Sequence, residues 1–264
     1  MTRAMCPIFR KLKQIMRPEL VYVTVVQNAE GLSTKGLFSH THLPNLLIMS
    51  SGGFGHIPLP LTKQLEPLMA PTQHEYDISY CGALHGPVRT LLNGVLGTRL
   101  GSRFGYYNGS NWRGFMAKSK LSLTPRGFGR SAFKVYETIQ MGLVPVYVYD
   151  RHKWLPYSGT QADFTNFGYS FSISEIEDIV QLASTISSED IQKKRNNAVR
   201  MRDSHFTNAG IIDQIARWLR NDGSSDLTCN EHPGCPIDDD PRSCVLTSPP
   251  GCWSIDVARD PTQS

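Results

Sequence analysis

Short apolar runs and helical periodicity alternate along the chain. Leu20 to Val26 (LVYVTVV) and Leu46 to Met49 (LLIM) are brief and apolar, the first rich in β-branched residues. Runs of this kind predict buried strands. The second gives way to Ser50-Ser51-Gly52-Gly53-Phe54-Gly55, a tight loop, and then to Ile57-Pro58-Leu59-Pro60-Leu61, held extended by its prolines. Asp77–Cys81, Lys120–Thr124 and Val144–Tyr149 predict three further strands. Helices are predicted over Val88–Leu100, Trp112–Ser119, Ser131–Met141, Ser174–Ala183, Ser188–Arg202 and Ile211–Arg220. Gly142 would end the third of these and Pro145 open the next strand. Alternating strands and helices imply an α/β fold, with a Rossmann-like parallel sheet and flanking helices.

A boundary is expected near residue 60, dividing 1–60 from 61–222. Beyond it, 223–264 turns rich in Pro, Asp and Cys and loses all period, which predicts a loosely ordered tail outside the core.

The chain has 264 residues, 40% hydrophobic and 19% charged, enough apolar content for a packed core. No apolar run approaches the length of a transmembrane helix. The basic N-terminus lacks the apolar stretch of a signal peptide. Lys+Arg 27 against Asp+Glu 23 leaves a net charge of +4, too mild an excess to announce a nucleic-acid partner.

The charge is unevenly placed. From Cys81 through Tyr136 there is no Asp or Glu, yet the stretch holds Arg89, Arg99, Arg103, Arg113, Lys118, Lys120, Arg126, Arg130 and Lys134. A solvated basic face or an anion site would both produce this pattern.

Six cysteines are present: Cys6, Cys81, Cys229, Cys235, Cys244 and Cys252. The last four favour two disulfides in an oxidising lumen, with three pairings open. A zinc site on Cys229, His232 and Cys235 lacks the paired C-x-x-C spacing. His40 and His42 have no evident third ligand, so no metal is expected there. Asn108-Gly109-Ser110 is a glycosylation sequon.

The informative segment is Lys118 to Tyr157. A strand ending at Thr124 leads into a loop with Pro125, Gly127 and Gly129, and Ser131 can cap the helix that follows. Free N–H groups at a helix start, with glycines that admit close approach, make an anion site. Arg126 and Arg130 flank the glycines, and each could grip phosphate oxygens through paired bonds. Glu137, further into the helix, could accept bonds from ribose hydroxyls, or pair with Lys134 or Arg130. The same loop fits a loose dinucleotide fingerprint, Gly127-x-Gly129-x-x-Ala132 with Asp150 lying 23 residues after Gly127. That nicotinamide reading leaves too little chain for a second half-sheet. No Gly-Lys-Ser/Thr triplet of a P-loop occurs.

Pro125-Arg126-Gly127, the run Phe133 to Tyr149 (FKVYETIQMGLVPVYVY) and Trp154-Leu155-Pro156-Tyr157 resemble the exostosin family of glycosyltransferases, family 47. Val25-Val26-Gln27 with Glu30-Gly31, Gly52-Gly53 with Ile57-Pro58, Gly82 to Arg89, and His205-Phe206-Thr207 with the helix through Trp218 extend the resemblance over about residues 20 to 220. It implies a two-Rossmann-domain (GT-B type) fold and an inverting enzyme of the Golgi or secretory lumen. Such an enzyme moves sugar from a nucleoside-diphosphate donor, UDP-linked by expectation, to a glycan or glycoprotein, with no further cofactor and no metal at the leaving group. By the same resemblance Arg126 would contact the diphosphate, with Gly127, Gly129, Arg130 and Ser131 lining its pocket and Arg89 beside it. Glu137 would hold the ribose, and Trp154 and Tyr157 would shape the sugar or acceptor site. The catalytic base is not assigned; His56, Asp150 and Asp163 are available. About 60 residues precede the nucleotide-binding half, fewer than a full Rossmann domain needs. The expectation is one complete half plus the end of the other, with any membrane association carried by a segment absent from this chain. A non-catalytic nucleotide-sugar- or glycan-binding remnant is the alternative.

Overall fold

The computed structural model describes residues 11–29 and 45–230, apart from Lys13, Pro71 and Asp222. It contains two parallel sheets. In the first, β1 (Tyr22–Val26) pairs with β2 (Leu46–Ser50), which pairs with the short β3 (Ile57–Pro58). The second is built from β4 (Tyr76–Cys81), β5 (Phe104–Tyr107), β6 (Ser119–Pro125), β7 (Pro145–Tyr149) and β8 (Tyr169–Ser172) in the order β5-β4-β6-β7-β8. Every neighbouring pair in it is parallel. Helices α1 (Pro87–Leu100), α2 (Trp112–Ala117), α3 (Phe133–Gln140) and α4 (Ile176–Thr185) alternate with the strands, and α5 (Ser188–His205) and α6 (Asn208–Arg220) follow. The fold is α/β and Rossmann-like.

The predicted strands and helices are present, and two edge strands were not foreseen. β5 (FGYY) and β8 (YSFS) are short and largely half-exposed, so neither shows an apolar run. Gly142 ends α3 at φ +67, and Pro145 opens β7, as expected.

The strand order fixes where a ligand can sit. The chain leaves β4 for β5 on one side, then crosses back to β6 on the other. The connections after β4 and β6 therefore diverge and leave a crevice beyond the carboxyl ends of these two strands.

The boundary near residue 60 separates the sheets but not their cores. Leu47, Met49 and Ile57 of the first sheet share one buried cluster with Val135, Tyr136 and Ile139 of α3, Tyr147 of β7, and Phe206 and Ile211. A second cluster, including Ile78, Leu92, Leu121, Val146 and Ile179, fills the other face of the five-stranded sheet.

The tail does not begin at residue 223. Leu227 is buried in the shared cluster, Ser225 Oγ donates to the Gln214 carbonyl at 2.9 Å, and Asp226 meets His205 Nε2 at 2.8 Å. The segment up to Asn230 is a strap over α5 and α6; 231–264 lies outside the described residues. Cys229 is disulfide-bonded, which removes it as a zinc ligand. Cys6, Cys235, Cys244, Cys252, His40, His42 and His232 lie outside the described residues. Cys81 is free and buried. Among the described residues no helix is long and apolar enough to cross a membrane.

Candidate functional site

The loop from β6 to α3 is braced from within. The Arg126 N–H continues the strand ladder to Val148, and the Gly127 N–H closes the turn on the Ser131 carbonyl at 2.9 Å. The Arg126 guanidinium folds back over its own loop. Nη1 donates to the carbonyls of Gly127, Phe128 and Gly129 at 3.3–3.4 Å, and Nη2 lies 2.6 Å from Asp150 Oδ2. Arg130 is 5% exposed, its guanidinium packed 4.8 Å from the Phe54 ring.

Neither arginine lines the cavity described below, so the expected pair of guanidiniums around a pyrophosphate is not formed. The physical reason is that the acid-free stretch is acid-free only along the chain. In space Glu177 meets Arg99, Asp77 meets Arg103 and Lys120, Glu66 meets Arg113, Glu75 meets Lys118, Asp150 meets Arg126 and Glu137 meets Lys134. Arg89 makes no ion pair among the described residues. Its Nε and Nη1 donate long bonds to the carbonyls of Arg126 and Ala83.

Ser131 does not cap α3. The N-cap is Ala132, extended at φ −146, and no side chain closes the helix start. The N–H groups of Arg130 and Ser131 both turn to the Gly52 carbonyl, at 3.0 and 3.4 Å. Gly129 serves this same contact: a Cβ there would fall 2.0 Å from Gly52 O and 2.5 Å from Ala29 O. A Cβ on Gly127 would meet Ser131 O at 3.0 Å and Arg89 Nη2 at 3.7 Å.

A cavity of about 460 Å³ occupies the crevice beyond β4 and β6. Gln27, Ala29 and Gly52 of the first sheet's loops line one side, and Tyr80, Cys81, Gly82 and Arg89 the other. The β6–α3 loop and the start of α3 close it. Of the residues singled out from sequence, Arg89, Gly127, Gly129, Ser131 and Glu137 meet here. Lys63, Trp112, Phe128 and Lys134 also line it and were not anticipated. Lys63, Trp112 and Phe128 carry weak signals because none is a specified position of a motif. Lys134 alone was visible, as a cation one turn before Glu137.

Of the three cations in the lining, Lys134 is paired with Glu137 and two make no ion pair among the described residues. Arg89 reaches in from α1, and Lys63, its ammonium 4.2 Å from the Phe133 ring centroid, from the segment joining the sheets. Between them the Phe133 and Lys134 N–H groups have no acceptor inside α3. Ser131 Oγ, buried in the lining, lies near the Tyr136 hydroxyl without reaching hydrogen-bond geometry with any atom of the described residues. Glu137 lies on the same helix, 2.8 Å from Lys134 Nζ, which also sits 3.3 Å from the Trp112 ring centroid. The arrangement offers donors and positive charge at one point and a carboxylate one turn away.

Burial keeps the remaining polar groups neutral. It raises the Tyr80 phenol, with Arg89 opposing in part. It pushes the Cys81 thiol up to about 12, more than Lys134 draws it down. Alkylation of folded protein by iodoacetamide at pH 8 should therefore spare Cys81, at a rate roughly 1,000-fold below that of the unfolded chain, followed by mass spectrometry. Because the folded value is the higher one, the stability linked to this group is complete below pH 9 and declines as pH rises toward 12.

None of the three candidate bases lines the cavity. His56 Nδ1 accepts the Ile48 N–H at 3.0 Å, and Asp150 is engaged by Arg126. Burial raises Asp163, but the Gly159 N–H and the Thr165 N–H and hydroxyl outweigh it and hold the carboxyl below its usual range. Asp163 thereby caps the turn Phe164–Asn166. The Arg126 bridge also removes the acid on which the nicotinamide reading rests. Trp154 and Tyr157 belong to the core rather than to a sugar site. Trp154 Nε1 donates to Ser50 O at 3.1 Å, and the Tyr157 hydroxyl to His205 O at 3.0 Å, and both rings are fully buried.

The chain matches no protein-family model and no curated protein.

Proposed function

We propose that this chain is an exostosin-like glycosyltransferase of the two-Rossmann-domain type. It takes a nucleoside-diphosphate sugar, UDP-linked, in the cavity beyond β4 and β6. One observation carries the reading: at the point where strand order reverses, an open helix start faces an arginine that no carboxylate among the described residues claims. Arg89 and the first N–H groups of α3 hold the diphosphate, with Lys63 across the cavity. Glu137 accepts the ribose hydroxyls. The acceptor, a glycan or glycoprotein hydroxyl, approaches from the first sheet's side.

In this chemistry the acceptor oxygen bonds to the anomeric carbon as the bond from that carbon to the diphosphate oxygen breaks. The acceptor proton passes to a base. The negative charge that develops on the leaving diphosphate is met by donors already in place. The disulfide at Cys229 and the exposed sequon at Asn108 agree with a Golgi or secretory lumen.

The experiment is incubation with UDP-glucose, UDP-galactose, UDP-N-acetylglucosamine, UDP-glucuronate and UDP-xylose, with and without a mixed oligosaccharide acceptor, measuring released UDP. The expected result is acceptor-stimulated release from at least one donor. A second reading, a non-catalytic nucleotide-sugar-binding relative, is favoured by the absence of all three candidate bases from the lining. It predicts UDP binding without release. Chain that neither binds UDP nor releases it contradicts both.

A further inference from the structure

Phe128 is the most exposed large apolar side chain among the described residues, at 88%, and it lines the cavity. Its exposure does not come from a slack loop. Arg126 donates to the carbonyls on both sides of it and to its own, the Gly127 N–H is bonded to Ser131, and the Arg130 N–H to Gly52. A braced turn thus holds an aromatic ring in solvent at the mouth of a cavity, where a molecule entering that cavity meets it.

Its position along the ligand follows from the chain. Glu137 lies one turn into α3, the open helix start comes before it, and Phe128 lies on the loop before that. With the ribose toward Glu137 and the diphosphate at the helix start, the donor sugar lies beyond the phosphates on the Phe128 side, and an acceptor that meets its anomeric carbon arrives past that ring. The loop carrying the ring abuts the first sheet, where Gly129 packs on the carbonyls of Gly52 and Ala29. The ring therefore stands at the seam between the two sheets and on its solvent side, open to a molecule arriving from outside.

We infer that Phe128 is the platform for a pyranose ring of the carbohydrate acceptor. An aromatic face is electron-rich and attracts the C–H bonds on the apolar face of a pyranose. Both arginines of its turn are engaged elsewhere, Arg126 with the loop carbonyls and Asp150 and Arg130 against the Phe54 ring, so the Phe128 ring discriminates by this contact rather than by charge. The inference rests on the nucleotide-sugar reading of the same cavity.

The test is saturation-transfer NMR on the full chain with UDP present, using cellobiose, lactose, xylobiose and diacetylchitobiose as probes. Calorimetry measures UDP affinity in parallel. Saturation of pyranose protons is expected for at least one probe. Phe128→Ala weakens that binding roughly 10-fold while Phe128→Tyr and Phe128→Trp retain it, and UDP affinity stays the same in all three. An unchanged saccharide signal in Phe128→Ala overturns the inference. So does a loss of UDP affinity in that variant, which would put the ring on the nucleotide. Wild-type chain that binds UDP but none of the four saccharides overturns the inference and leaves the donor reading standing. Failure to bind UDP at all removes the donor reading itself. The melting temperature of Phe128→Ala, expected to match wild type for so exposed a side chain, separates a lost contact from a lost fold.

Discussion

Arg89→Ala should weaken UDP binding by about 10- to 100-fold, the range of one charge-assisted bond to a phosphate. The expectation follows from how the nine cations of the acid-free stretch are arranged. Seven are matched by a carboxylate from elsewhere in the chain, and Arg130 is packed on Phe54. Arg89 lines the cavity and makes no ion pair among the described residues, and its two bonds to carbonyls are long, 3.3 and 3.4 Å. Those bonds orient the guanidinium without neutralising it. Arg89→Lys should fall between wild type and Arg89→Ala, because an ammonium keeps the charge and loses the paired geometry. Arg126→Ala should behave oppositely. It strips three loop carbonyls and Asp150 of their donor, so its melting temperature falls, while UDP affinity changes little. Calorimetry on the three variants checks this. Equal losses of affinity in Arg89→Ala and Arg126→Ala would contradict the assignment.

Gly129→Ala should destabilise the chain by about 3–5 kcal/mol, through overpacking and the loss of two backbone bonds. The added methyl would fall 2.0 Å from the Gly52 carbonyl oxygen and 2.5 Å from that of Ala29. Both obstacles are backbone, so no side chain can swing aside. The two loops must separate, and the N–H groups of Arg130 and Ser131 then lose the Gly52 carbonyl that both use. For a chain of this size the melting temperature should drop by about 6–20 °C. Gly94→Ala is the control. That glycine lies exposed within α1 with open space where the Cβ would go, and it should gain about 0.5–1 kcal/mol of helix stability. A Gly129→Ala variant that melts with wild type would show that the loops do not meet as described.

These two variants also mark where sequence stops informing. The central strands, the helices and the glycine turn after α3 were legible because apolar run length, periodicity and turn chemistry are local properties. β5 and β8 were not, since a half-exposed edge strand of four residues carries no such signature. In the site, the helix start, Glu137 and the loop glycines were legible, but the partners of the arginines were not. Asp150 reaches Arg126 only because β7 lies beside β6, and Glu66 reaches Arg113 across the segment that joins the sheets. Gly129 looked like a residue for phosphate approach and is required instead by Gly52, 77 positions earlier. Trp154 and Tyr157 stood in a family-like motif and proved to be core, where an aromatic ring with a polar end finds a carbonyl. Phe128, at no specified position of a motif, stands at the mouth of the cavity.

The central claim is that a nucleoside diphosphate occupies the crevice beyond β4 and β6, and amide NMR of isotopically labelled chain during titration with UDP tests it most directly. Saturable shifts should concentrate at Gly82, Gly127, Phe133 and Lys134 and disappear in Arg89→Ala. Resonances that do not move, or that move only around α4 and α5, neither of which lines the cavity, would contradict it.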